Sequence, residues 1–280
     1  MKRHRKTESL IICFLTILVF APSYALIPIS THKKISDLKV SARKLIEKTF
    51  VAVDKYDHVE LGELESNVHV FTFNSRGELV EMRDIDKDGN LVAWYVAEYD
   101  KNNKKVSEKK YDKNSNLAGY STFTYSKNKQ IKQEDAFSPS GELLYSFVFE
   151  YDKNDNVVLR KRIDANKEDG ISTVYDYNTE GNLTGEKLFS KTGSIINSKQ
   201  FSYDSKGLLL EDKRLDKDGA VRMVITYTYD EKGNRTQIKN SNSDVVNIRY
   251  EFDEKGNWIK QTIFHNEVIP IRVITREIIY

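Results

Sequence analysis

Six cations recur at one place in successive segments of this chain: Arg83, Lys109, Lys161, Lys187, Lys213 and Lys239, with Asp135 interrupting. On stacked strands they would align as a cationic stripe, and its chemistry suits an anionic glycan or an acidic partner. They are the candidate ligand-binding residues. The competing reading is a solvated strand face, because Glu108, Glu134, Glu186 and Asp212 precede that place in four segments. Lysine is common on exposed strands and surface charges need no ligand, so the balance favours the solvated face. Asp84, Asp86, Asp88 and Gly89 open like a calcium loop, but the twelfth position holds Tyr95 where a bidentate Glu is required. Asp-Gly is ordinary hairpin chemistry, and the segment reads as a turn. His32, His58, His69 and His265 have no second histidine three to five residues away, so zinc-ligand spacings are missing. No nucleophile elbow, phosphate loop or dinucleotide fingerprint occurs. The reading assigns no catalytic residue, no cofactor and no metal, and takes the chain as a non-enzyme.

The first 25 residues read as an export signal. Lys2, Arg3, Arg5 and Lys6 precede an apolar run from Leu10 to Phe20, and Ser23-Tyr24-Ala25 supplies small residues for cleavage after Ala25. No later apolar stretch approaches the ~20 residues of a membrane helix. The single cysteine, Cys13, lies inside that run. Without the signal, the chain has no disulfide, cysteine nucleophile or thiolate metal site. The net charge is +2 and four basic residues leave with the signal, so no global field points to nucleic acid. At 31% charged and 39% hydrophobic residues, the composition suits a thin, wetted sheet better than one thick core.

What must position these residues is a repeat. Phe73, Tyr99, Tyr125, Tyr151, Tyr177, Tyr203 and Tyr229 stand 26 residues apart, and Phe252 follows after 23. A fixed period marks one supersecondary unit stacked on copies of itself. In the unit from Tyr203 to Thr228, Asp204-Ser205-Lys206-Gly207 and Asp216-Lys217-Asp218-Gly219 are turns separating two strand-length runs. Alternation puts each marker aromatic and the residue two before it on one face, as in Phe123/Tyr125 and Phe149/Tyr151. A second apolar column, including Tyr111, Phe137 and Phe189, lies on the first strand of each unit. Asn103, Lys129 and Asp155 replace the turn glycine in the middle copies, where strain predicts irregular turns. Residues 35–53 place Leu38, Ala42, Leu45, Ile46 and Val53 at helical spacing, which predicts a short capping helix. Residues 67–73 and Ile269–Tyr280 read as strands at the two ends of the array.

Tyr229-Asp230-Glu231-Lys232-Gly233-Asn234, echoed at Phe252–Asn257, resembles the bacterial YD repeats, also called RHS repeats. The resemblance covers about residues 67–280 and extends to exported, short-array members of unassigned function. It implies a β-sheet array of the kind that encloses a toxin or presents a surface to glycans. No long domain follows the array here, which leaves the enclosing role without cargo.

The sequence therefore predicts an all-β protein: a long twisted antiparallel meander of 26-residue β-hairpins at 67–280, a cap segment at 26–66 and a signal peptide at 1–25. The expected function is an exported, non-catalytic binding or scaffold module for an envelope or extracellular glycan or a protein partner. It would be periplasmic, cell-surface or secreted, with no nucleic acid and no membrane span in the mature chain. The alternative is a carbohydrate-active enzyme using carboxylates on the sheet. An outer-membrane β-barrel ranks lower, because both faces of Gly207–Leu215 carry charge at mid-strand.

Overall fold

The structure is a computed structural model that describes Leu38 and residues 42–280. The export signal at 1–25 lies outside the described residues. Among the described residues are nineteen strands and no helix. The chain opens with β1 (Lys44–Lys55), β2 (His58–Leu64), β3 (Val68–Phe73), β4 (Leu79–Ile85), β5 (Leu91–Tyr99) and β6 (Lys105–Tyr111). It continues through β7 (Leu117–Tyr125), β8 (Ile131–Phe137), β9 (Leu143–Tyr151), β10 (Val157–Asp164), β11 (Asp169–Tyr177), β12 (Leu183–Phe189) and β13 (Ile195–Tyr203). Last come β14 (Leu209–Asp216), β15 (Val221–Tyr229), β16 (Arg235–Asn240), β17 (Val245–Phe252), β18 (Trp258–His265) and β19 (Ile269–Ile279). From β3 to β19 every strand pairs antiparallel with the next, which is the expected hairpin meander.

The residue after the marker aromatic, most often Asp, has a physical role in the first turn. The Asp100 amide donates to the Lys104 carbonyl at 2.8 Å, and Asn103 N–H returns to the Asp100 carbonyl at 2.9 Å. Asp100 Oδ1 accepts the N–H groups of Asn102 and Lys104 at 2.8 and 2.9 Å. Asp152, Asp204, Asp230 and Asp253 repeat the pattern. The turn needs a positive φ at its fourth residue, which Gly207 supplies at 79°. Asn103, Lys129 and Asp155 adopt 63°, 69° and 67°, and Lys129 N–H bonds Ser126 O at 3.0 Å as its glycine counterparts do. The middle turns are thus regular, contrary to expectation: two ladder bonds per turn outweigh the modest cost of a left-handed side chain.

The tyrosine hydroxyl ties one unit to the one before. Tyr99, Tyr125, Tyr151, Tyr203 and Tyr229 donate to the carbonyls of Leu79, Lys105, Ile131, Leu183 and Leu209, each at 2.7–3.0 Å. Partial burial raises the pKa of the Tyr99, Tyr125, Tyr151 and Tyr203 phenols, to about 12 for Tyr125. The deeper aromatic is the one two positions earlier: Phe71, Phe123, Phe149 and Tyr175 are buried, while Tyr125, Tyr151 and Tyr177 are half-buried.

Residues 44–55 depart from the expected capping helix and form β1. Its β-branched Ile46, Thr49, Val51 and Val53 suit a pleated surface, and tertiary pairing overrides the helical spacing. β1 runs antiparallel to β19, from Lys44 opposite Ile279 to Val51 opposite Arg272. Its other edge takes β3 over Lys44–Glu47 and β2 over Phe50–Lys55. Both edges of the meander are therefore occupied, and β1 with β3 to β19 closes into an 18-strand barrel. Pro270 is the second residue of β19 and stands opposite Phe264 of β18.

The register decides which face is inward. Phe123 stands opposite Glu134 and Glu134 opposite Phe147; likewise Tyr175 faces Glu186, and Glu186 faces Lys199. Each unit ends two residues short of its repeat counterpart, at Phe147 rather than Phe149 and Lys199 rather than Phe201. A stagger of constant sign is the shear that tilts barrel strands. Strand handedness then leaves one face concave, the face of the marker aromatics. Crowding there accounts for the burial of Phe71, Phe123, Phe149 and Ile225. Eighteen strands about 4.8 Å apart and tilted about 40° make a ring roughly 35 Å across and, at seven to nine residues per typical strand, about 20 Å tall.

Candidate functional site

Even-numbered strands return from each first turn and place one residue per unit at mid-height on the inner wall. At the 26-residue period these are Glu108, Glu134, Arg160, Glu186 and Asp212, with Met82 before and Ile238 after. Odd strands between them supply rings: Phe123 and Phe147 flank Glu134, Phe149 faces Arg160, and Tyr175 faces Glu186. The result is a band in which ionisable groups alternate with aromatic surfaces.

The band is largely self-compensated. Lys105 is buried, bonds Glu108 and lies 5.0 Å over the Phe123 ring. Lys199 meets Glu186 at 3.2 Å and Arg214 meets Asp212 at 3.2 Å. The Arg160 guanidinium lies 3.6 Å over Phe147, and Arg235 lies 4.3 Å over Tyr227. Burial pushes the Glu134 carboxyl above the usual range; Glu108 adds to the rise, while Ser121, Arg160 and Lys105 oppose it. Several polar atoms here are buried without a hydrogen-bond partner: Glu134 Oε2, Arg160 Nε, Asp212 Oδ1 and Arg235 Nε.

A second inner cluster joins the seam where the ring closes. Arg276 on β19 meets Glu47 on β1 at 2.9 Å and stacks 3.5 Å over Trp258. Glu47 stands opposite His69, whose Nδ1 is 2.6 Å from Asp84. The Asp84 hydrogen bond raises the His69 pKa, against desolvation. Arg272 reaches Glu65 with two nitrogens, Nε and Nη2.

The six cations expected to bind ligand all stand on the opposite, outward face. Arg83 meets Glu81 at 2.7 Å, Lys109 meets Glu98 at 2.8 Å and Lys161 meets Asp169 at 2.5 Å. Lys187 and Lys213 meet Asp176 and Glu211, both at 3.3 Å. Lys239 faces Thr226 and Val245. Alternation thus separates Lys109, Lys187 and Lys213 from Glu108, Glu186 and Asp212, which share their strands but not their face. The second apolar column is also outward, with Trp94 stacked on Tyr111 at 4.5 Å and Tyr120 on Phe137 at 4.9 Å.

The acidic segment at 84–89 is a hairpin turn: Asp86 Oδ1 accepts N–H groups from Asp88 and Asn90 at 2.9 and 2.8 Å, and Asp84 is engaged by His69. Among the described residues no group of acids, histidines or cysteines could hold a metal ion. His58 lies exposed between Asp57 and Glu60, and His265 contacts Asn266; His32 lies outside the described residues.

Fold and site together define a closed, single-layer barrel of β-hairpin repeats with an aromatic and ionisable inner wall. No family model and no curated protein matches the chain. Among solved structures it is similar to a porin-like protein from Bacteroides uniformis, at 11% identity over 85% of this chain and 97% of that one, with a TM-score of 0.47. A porin-like protein from Bacteroides vulgatus aligns at 11% identity over 85% and 98%, with a TM-score of 0.40. The TcdB2-TccC3 structure without its hypervariable C-terminal region aligns at 12% identity over 75% of this chain and 16% of that chain, with a TM-score of 0.26. Likeness at this level carries nothing about activity.

Proposed function

We propose that the chain is an exported, non-catalytic binding module that holds a glycan, an envelope polymer or a protein partner against the inner wall of its barrel. The supporting observation is the band from Glu108 to Asp212 on the concave wall, where aromatic rings alternate with ionisable side chains. Ligand recognition by ring stacking with a few convergent polar groups uses such a surface. The outward lysines are committed to neighbouring carboxylates and are weaker candidates.

Closure of the sheet favours a second reading, an outer-membrane barrel, since a ring without edges satisfies its backbone in lipid. The outward face opposes it. Lys109, Lys161, Lys187 and Lys213 stand at mid-strand, where each would cost about 2–4 kcal/mol at a bilayer midplane. Most of the strands run six to nine residues, against the ~9–11 that spanning strands use. No helix among the described residues is long and apolar enough to cross a membrane, which says nothing of a β-barrel.

Purification of residues 26–280 without detergent, followed by binding to arrays of glycans and envelope polymers and capture of protein partners, tests the reading. A monodisperse protein that binds without turnover supports it. Aggregation relieved only by detergent, with ion conductance in planar bilayers, would favour the membrane barrel. Turnover abolished by one Glu or Asp substitution would favour the enzyme.

A further inference from the structure

We propose that the β1–β2 hairpin is a docking arm whose open edge, on β2, takes an extended basic segment of a partner protein as an added strand. The inference is independent of what the inner wall holds.

β1 runs past the strands that flank it in the ring. Its pairing with β19 ends at Val51 and its pairing with β3 at Glu47, yet the strand continues to Lys55. β2 lies along that extension, from His58 opposite Lys55 to Leu64 opposite Phe50. Among the described residues β2 ladders with β1 alone, whereas every other strand is laddered on both edges. Alternate N–H and C=O groups of His58–Leu64 therefore point away from any strand. Such an edge takes up an extended segment through main-chain hydrogen bonds.

Open edges are ordinarily blunted by lysine or proline. β2 has neither, and carries Glu60 and Glu63 instead. On the arm Asp54, Asp57, Glu60 and Glu63 stand against Lys55, with His58 held between Asp57 at 2.7 Å and Glu60 at 3.1 Å. In an antiparallel pair of two copies Glu60 would face Glu63, and like charges directly opposite are destabilising. A strand bearing Lys or Arg at those places gains what a second copy loses.

The tip adds an anchor. Asp57 N–H donates to the Lys55 carbonyl, so Tyr56 is the centre of a γ-turn at φ 41°, a rare and strained place for a bulky side chain. Its ring is fully exposed, and Leu61 on β2 is exposed as well. Tyrosine is enriched among interface anchors because it joins a large apolar body to a polar tip.

The test uses residues 26–280 with short peptides that alternate Val, Ile or Thr with Lys or Arg, and a matched panel with Glu in place of the bases. Binding is read by titration calorimetry and by amide hydrogen exchange. At least one basic peptide should bind, exchange at His58–Leu64 should slow about tenfold in the complex, and the acidic panel should not bind. Glu60→Gln with Glu63→Gln should weaken binding about tenfold and Tyr56→Gly about fivefold, while the outward Lys187→Gln changes it less than about twofold. Glycine accepts the tip conformation, and unchanged thermal melts establish that every variant folds. Failure of every basic peptide, binding without protection of His58–Leu64, binding indifferent to the Glu60, Glu63 and Tyr56 variants, or equal binding of the acidic panel overturns the inference. Protection of His58–Leu64 that grows with protein concentration in the absence of peptide overturns it in favour of a second copy. Each of these results leaves the inner-wall reading standing, since the glycan and polymer arrays test that separately.

Discussion

Replacing Glu47 by Gln tests the seam energetically. Glu47 accepts from Arg276 across β1 and β19, the two side chains are 14% and 5% exposed, and 229 residues separate them in sequence. Removing the carboxylate leaves a buried guanidinium short of its countercharge, which typically costs about 3–5 kcal/mol. Partial exposure of Glu47 and the stacking of Arg276 on Trp258 favour the lower end, about 3 kcal/mol. The informative quantity is the coupling. In a cycle of Glu47→Gln, Arg276→Gln and the double variant, urea melts at pH 7 should give an interaction energy of about 1–3 kcal/mol. Adjacent residues couple at that size, whereas distant ones add within about 0.3–0.5 kcal/mol. No hairpin could bring these two together locally. Additive effects would refute the pairing, whatever the single variants cost.

Other outcomes follow from the same geometry. Phe149→Ala should cost about 3–5 kcal/mol in denaturant melts, and Tyr151→Phe only about 0.5–1.5, because the first empties a buried site and the second removes one hydroxyl bond. The His69 pKa is raised by Asp84, so its stabilisation is complete below pH 6.5 and is lost as pH rises through the folded value. Melts between pH 6 and pH 9 should show that decline, and His69→Gln should remove it. The Glu134 carboxyl is raised by burial, so the native state pays for its ionisation above the unfolded value of 4.5. Glu134→Gln should therefore raise the melting temperature at pH 8 and leave it unchanged at pH 4.

Most of the barrel wall was legible because its information is local. The 26-residue spacing, the Asp that gathers two amides and the residue that follows at positive φ together specify strand, turn and facing. Closure was not legible, since β1 meets β19 across almost the whole chain and nothing near Lys44–Lys55 announces that partner. Five apolar residues at helical spacing in so short a segment also fit an extended strand; the β-branched Ile46, Thr49, Val51 and Val53 were the available signal. The inner band was missed for a different reason. Glu108, Glu134, Glu186 and Asp212 had been grouped with the lysine place beside them, although neighbours on a strand point to opposite faces. Applying the alternation already used for Phe123 and Tyr125 would have separated them.

A disulfide across the seam tests ring closure most directly. Residues 26–280 contain no cysteine, and Lys48 stands opposite Thr275 on the outward face of β1 and β19. Paired strands hold such positions about 4.5–5.5 Å apart, within disulfide range. With Lys48→Cys and Thr275→Cys in one chain, mild oxidation of the folded protein should form the bond intramolecularly and in full, read as a faster-migrating band that reductant reverses. A chain that stays reduced, or that links only to other molecules, while a control pair replacing Gln133 and Val148 across β8 and β9 closes normally, would contradict the closed barrel.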